Sequence, residues 1–397
     1  MKITNQQRYK IHIVLLTLVC SFGFYLSFVS GYGSDEDTLP LIGAYESMMS
    51  GDRVMASRFT PYPVAEIGIG FLSYQLGSWA ANFVTFSFII FGCTLFYVSL
   101  NKKYEFNDLF LFLILCLSSP VLFFDNIEPI DYSWAFFFFA LGTFFLKKKY
   151  FDLAIIFFGI CIGTRINFVL FVLFAIYFLE INNVENKTRR ILIFLGSFFV
   201  GGLFYLTIWF QHGFGIEWLT AVTPNNQGIF GLTARFFYKV ITSITFSSFI
   251  FLSIIFYLTI KNKKFIHLFK FKNSKLIVSL IFSNLILFFF IPAEISYLQP
   301  FLICLYFFIY SNFDKKIIYI LIIINFFSWF VDIDILKIEY KSEDKCNNIE
   351  AIDANVNINF KHGKYFEFIN SRDKIKCWLK DDSIRSKKIL SGKALKN

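Results

Sequence analysis

One arginine and two groups of carboxylates are the residues of this chain best suited to chemistry. Arg165 interrupts the apolar run LAIIFFGICIGTRINFVLFVLFAIYFLEI, residues 153–181. Asp35, Glu36 and Asp37 follow the first apolar segment, and Asp125, Glu128 and Asp131 crowd into a short turn further on. A carboxylate within hydrogen-bond reach of a hydroxyl can take its proton during attack. A guanidinium held out of water matches the geometry of a phosphate and stabilises a phosphate that is leaving. Three adjacent carboxylates repel one another unless a cation, a proton or a hydroxyl relieves them, although one of them also suits a helix N-terminus.

The elements that must position these groups are membrane helices. Apolar residues make up 56% of the chain and charged residues 17%, with a mean hydropathy of +0.59. A soluble domain carries about 25% charged residues. The 58 Phe are read as lipid-facing bulk. Apolar segments near 11–30, 81–100, 108–124, 132–146, 153–164, 166–180, 191–210, 241–260, 276–292, 299–311 and 317–331 predict about eleven transmembrane or re-entrant helices. No small-residue cleavage site follows the first, so it is read as a span and not as a signal peptide.

Lys and Arg punctuate one set of connections, from the N-terminus to the loops near 102, 148, 188, 268 and 315. The other set, up to residue 331, holds only Arg53, Arg58, Arg165, Arg235 and Lys239. The positive-inside rule places the second set outside, together with most of the acidic residues. The net charge of +10 therefore reflects topology and a basic tail, not nucleic-acid binding. Basic loops flank the 153–181 run on both sides, at Lys147–Lys149 and at Lys187, Arg189 and Arg190. The run must enter and return. Each limb then has about 12–15 residues, against about 20 for a full span, and Arg165 sits at the tip in a partly dry cavity.

The first outer loop, 31–80, is read as two short helices. One follows Ser34–Thr38, with Pro40 in its first turn and Gly51 at its end, and presents Leu41, Ile42, Tyr45, Met48 and Met49 at helical spacing to a membrane surface. The other follows Pro61 and Pro63 and carries Glu66 near its start. Residues 211–239 form an outer loop, and Ala293–Pro300 an outer turn. Two domains are expected: a membrane body over 1–331 and a small tail over 332–397. An odd number of spans puts the tail outside, where Cys346 and Cys377 would form a disulfide. The four His are scattered and form no metal-ligand pattern.

In combination these features resemble the GT-C superfamily of integral-membrane glycosyltransferases. The resemblance rests on the acidic cluster after the first span, then Tyr45, Ser50-Gly51-Asp52 and Pro61/Pro63, then the acidic second loop, then GICIGTRINFVLFVL, then Tyr297-Leu298-Gln299-Pro300. Within that superfamily the chain looks most like the O-antigen-modifying glucosyltransferases of serotype conversion, which carry a Lys-Lys pair near the end; Lys387-Lys388 is its counterpart here.

The resemblance implies a bacterial inner-membrane enzyme with its site facing the periplasm. It would move a hexose such as glucose from a polyprenyl-phosphate donor of the undecaprenyl type to an acceptor glycan of O-antigen or lipopolysaccharide. Asp35 or Asp37, with Glu36 third, would be the base. Arg165, Arg58 and Tyr297 would hold the donor phosphate. Asp125, Glu128, Asp131 and Glu66 would orient the acceptor or hold a divalent cation such as Mg2+ or Mn2+. Two rivals share the outward polytopic form. An O-antigen polymerase or ligase favours large, Arg-rich late loops, and a lipid-linked sugar transporter shows repeats and charged spans. The sequence has neither pattern.

Overall fold

The computed structural model describes residues 5–33, 38–51, 61–101, 105–179, 187–211, 229–262, 273–292, 294–338, 354–370, 379 and 383–395. The chain is a bundle of apolar helices, as an all-α polytopic membrane protein requires. Among the described residues four are long and apolar enough to cross a bilayer: α1 (Asn5–Val29), α4 (Ser78–Leu100), α10 (Lys187–Gln211) and α14 (Gln299–Asn312), the last extended by the turn before it. α2 (Thr38–Met49) and α3 (Pro63–Leu76) lie between α1 and α4. They are the two expected loop helices, but Leu41, Ile42 and Tyr45, expected to face a membrane surface, are buried instead, Leu41 among Tyr62, Ala65 and Ile69 and Ile42 against Ile389 and Leu395 of the tail. They pair closely, with Gly70 so near Tyr45 that a Cβ there would meet the Tyr45 Cβ at 2.3 Å.

Two segments read as straight spans are broken. α5 (Phe106–Ser118) turns by 90° into α6 (Pro120–Phe124). Pro120 disfavours helical backbone at Ser119, whose ψ is 124°. α11 (Ile229–Ile244) turns by 92° into α12 (Phe246–Lys261). The break is Thr245, at φ +70°, and its hydroxyl accepts from the Ser248 N–H and lies 3.3 Å from the Ser328 hydroxyl. The stretch read as an outer loop up to 239 is therefore helical from Ile229 onward.

α7 (Asp131–Lys147), α8 (Phe151–Thr164) and α9 (Val169–Leu179) complete the first half, and α13 (Ser274–Phe290) and α15 (Lys315–Phe327) the second. At 1.5 Å per residue α8 is about 21 Å long, short of a bilayer core, and the chain turns back at Arg165 as the flanking charges require. Small residues let this part close up. Gly142 lies under Phe158, and Gly159 under Val200, which is how helices approach without a hydrophobic drive in lipid.

The segment after α15 is not helix to 331. Val331 opens β1 (Val331–Ile338), paired antiparallel with β2 (Ala354–His362), and α16 (Lys364–Asn370) and α17 (Ile384–Leu390) follow. This tail packs on one end of the bundle. Ser78 N–H donates to Gly392 O at 3.1 Å, Leu395 N–H to Tyr74 O at 3.1 Å, and the Tyr32 hydroxyl to Lys393 O at 3.0 Å. Gly77, at φ +98°, leaves no space for a side chain, since a Cβ would meet Gly392 O at 2.7 Å. Arg385 grips Glu46 on α2. The opposite end holds His12 between Asn107 and Tyr319, and a Lys315–Asp108 bridge of 2.6 Å. α1 runs from that end to the tail end.

Candidate active site

Arg165 lies at the tail end of the bundle, at the extended residue between α8 and the short 3-10 turn Ile166–Phe168. It is 2% exposed. Its Nε donates to Asp131 Oδ2 at 2.6 Å and Nη2 to Oδ1 at 3.3 Å. Asp131, fully buried, begins α7, so two helix ends supply the two halves of a forked ion pair. The guanidinium carbon lies 3.3 Å from the centre of the Tyr132 ring, 4.5 Å from Tyr62 and 4.9 Å from Tyr297. Three ring faces and one carboxylate thus fix a charge that would be costly if unpaired.

These groups form one wall of a cavity of about 730 Å³, its open mouth included. Tyr62, Tyr132, Arg165, Asn167, Asn284 and Tyr297 make its polar part; Phe168, Phe171, Leu287, Phe288, Ile291 and Pro300 make its apolar part. The Tyr132 hydroxyl and Asn284 Oδ1 are buried there without a hydrogen-bond partner. Buried polar atoms left in this state mark a place for a ligand or water.

Glu66 belongs to the same end. It is 3% exposed, on the first turn of α3, and its carboxylate accepts the Tyr62 N–H at 3.2 Å. This bond caps α3 and keeps Tyr62 against the guanidinium. Val64 beside it touches Gly163, just before Arg165.

The other two carboxylates of the second loop face elsewhere. Asp125 bonds the Lys364 ammonium of α16 at 3.2 Å and accepts from the Ser296 hydroxyl at 2.8 Å. Asp125 holds the Lys364 ammonium above its ordinary range, with smaller help from Glu367 and Glu128. Glu128 packs against Gly33, where a Cβ would meet its carboxyl carbon at 2.5 Å. The turn Ile295–Leu298 links both groups, Ser296 reaching Asp125 and Tyr297 the cavity.

Asp35, Glu36, Asp37, Arg58, Cys346 and Cys377 lie outside the described residues. The chain enters the acidic cluster from Gly33, beside Glu128, and leaves it at Thr38, the start of α2. Lys387 and Lys388 sit on α17 and do not line the cavity; Lys388 Nζ lies 3.4 Å from Leu395 O. Among the described residues no three His, Cys, Asp or Glu converge to hold a metal ion. Asp131 and Asp125 each face a basic side chain instead.

Sequence reasoning missed Tyr62, Tyr132 and Asn284. Tyr62 stands between the two prolines, Tyr132 follows Asp131, and Asn284 is an isolated amide within an apolar helix. Each was visible, but only the closing of α3, α7 and α13 around Arg165 shows that they share a cavity.

No family model matches the chain, and no curated protein matches it in sequence. Among solved structures it is similar to ArnT from Cupriavidus metallidurans, crystallised bound to undecaprenyl phosphate, with a TM-score of 0.55 and 13% identity. The match covers 78% of this chain and 62% of that one, so the chain spans about three fifths of its neighbour's length. The architecture described above is thus the polytopic membrane fold that ArnT also has.

Proposed function

We propose that this protein transfers a sugar from a polyprenyl-phosphate donor to an acceptor glycan. The observation that carries the reading is the Arg165 cage: a forked, pre-oriented guanidinium at the junction of a polar and an apolar cavity wall. A lipid-linked phosphate has that division. The fold adds support, since ArnT of the same fold was crystallised bound to undecaprenyl phosphate. The finer reading is a hexose, glucose first, delivered to an O-antigen or lipopolysaccharide acceptor on the periplasmic side of the bacterial inner membrane.

The acceptor hydroxyl attacks the anomeric carbon as the carbon–oxygen bond to the phosphate breaks. The proton passes to Asp35 or Asp37, with Glu36 third. The pair of electrons stays on the leaving polyprenyl phosphate. An arginine has five N–H donors; two address Asp131, and the rest meet the developing charge with Tyr297 beside them. Arg58 supplies a second cation. One direct displacement inverts the anomeric centre.

The test uses the purified full chain in detergent with a polyprenyl-phosphate-linked glucose. Release or transfer of the sugar is expected from the parent protein and not from Arg165→Ala. Parent-level turnover in a folded Arg165→Ala variant would overturn the reading.

A further inference from the structure

A second cavity, of about 810 Å³ with its mouth included, lies where the tail meets the first outer loop. Its walls are the end of α1 with the turn Ser30–Gly33, the α3–α4 junction at Ser78 and Trp79, and Ile389–Gly392 of the tail. We propose that this cavity binds neutral sugars of the acceptor glycan, so that the tail completes the acceptor site. The proposal rests on the glycosyltransferase reading and names a substrate class for a different part of the molecule.

Three observations carry it. First, among the described residues no lining residue is charged, so a phosphate or carboxylate ligand would meet no cation among them. Second, Ser30, Tyr32, Ser78 and Ser391 line the space; the Tyr32 hydroxyl is held by Ser73 O and Lys393 O and Ser30 Oγ by the Asn82 amide, so Ser78 and Ser391 are the hydroxyls offered to a ligand. Their oxygens keep acceptor capacity even where they already donate, as Ser78 does to Gly392 O and Ser391 to Lys388 O. Third, Phe28 and Trp79 stack at its rim, ring centres 5.5 Å apart and 9° from parallel, yet remain 53% and 40% exposed. A flat aromatic face beside uncharged hydrogen-bonding groups suits the apolar face and hydroxyl edge of a sugar ring.

Placement fits as well. Gly33 borders this cavity and packs on Glu128, and it leads directly into the acidic cluster. α3 (Pro63–Leu76), about 21 Å long at 1.5 Å per residue, runs from beside Tyr62 at the Arg165 cavity to two residues before Ser78 at this one. An extended oligosaccharide, not a single sugar, spans that distance.

The experiment measures binding of neutral hexose oligosaccharides of increasing length to the detergent-solubilised full chain, and in parallel hydrolysis of polyprenyl-phosphate-linked glucose with water as acceptor. Trp79→Ala should weaken oligosaccharide binding about tenfold, the loss of one good aromatic contact. Trp79→Phe should recover part of it, and Ser391→Trp should block the cavity from the tail side. None of the three should alter donor hydrolysis. Oligosaccharide affinity unchanged in both Trp79→Ala and Ser391→Trp would overturn the proposal. So would a loss seen only for phosphatidylglycerol in mixed micelles, which would make the rim a lipid contact. Loss of donor hydrolysis in the parent protein would instead count against the reading beneath it.

Discussion

Asp131 and Asp125 come from one turn, six residues apart in number, and each faces a cation, yet they do different things. Asp131 is sealed against Arg165, whose guanidinium sits among three tyrosine rings on a cavity wall. Asp125 meets Lys364, a third of whose side chain is exposed, and ties the tail to the turn before α14. An ion pair is chemical or structural according to what shares its space. Lys364 also lines a smaller cavity, with Pro120, Val121 and Ile295, but among the described residues it is the Arg165 cavity whose lining includes the buried, unpartnered Tyr132 hydroxyl and Asn284 Oδ1.

The largest effect expected from breaking that contrast is at the acidic cluster. Asn at the base position, Asp35 or Asp37, should cost about 10²–10⁴ in transfer rate, with the other position costing only about 1 kcal/mol of stability as a cap. Single and double Asn variants in a transfer assay read this directly. Parent rates in all three would reduce the cluster to a helix cap.

Asp131→Asn should come next. It leaves the buried guanidinium without its counter-charge, which costs about 3–5 kcal/mol, so thermal unfolding in detergent should fall by several degrees and turnover with it. A variant as stable as the parent would mean that water reaches the pair. Arg165→Lys should lie between the parent and Arg165→Ala in rate, because a point charge replaces a fork.

Lys364→Met should change least. Its partial exposure screens the pair, so the expected cost is about 1 kcal/mol or less, with donor turnover near the parent value. The pH dependence follows from the raised ammonium. Its contribution is complete below the ordinary lysine value of about 10.4 and is lost as pH rises through the higher folded value. Protease protection of the tail should therefore be flat from about pH 7 to 9 and decline only in strong alkali.

Much of the membrane body was legible because lipid punishes unpaired backbone. The limits of α8 and α9 and the position of Arg165 between them follow from apolar length and flanking charge. Pro61, Pro63 and Gly51 bounded the loop helices. The break after Ser118 had its own signal in Pro120, outweighed by the apolar run around it. The break at Thr245 had none, since a β-branched residue at positive φ is held there by Ser248 and Ser328 from within the fold. The tyrosine cage is a long-range product of α3, α7 and the 295–298 turn, which periodicity within a segment does not encode.

The most direct measurement sets the two ion pairs side by side: sugar transfer from polyprenyl-phosphate-linked glucose by the parent, Arg165→Ala and Lys364→Met proteins, each shown to be folded. Turnover is expected from the parent and from Lys364→Met, with a loss of about 10²–10³ or more in Arg165→Ala. Equal rates in Arg165→Ala and the parent would contradict it.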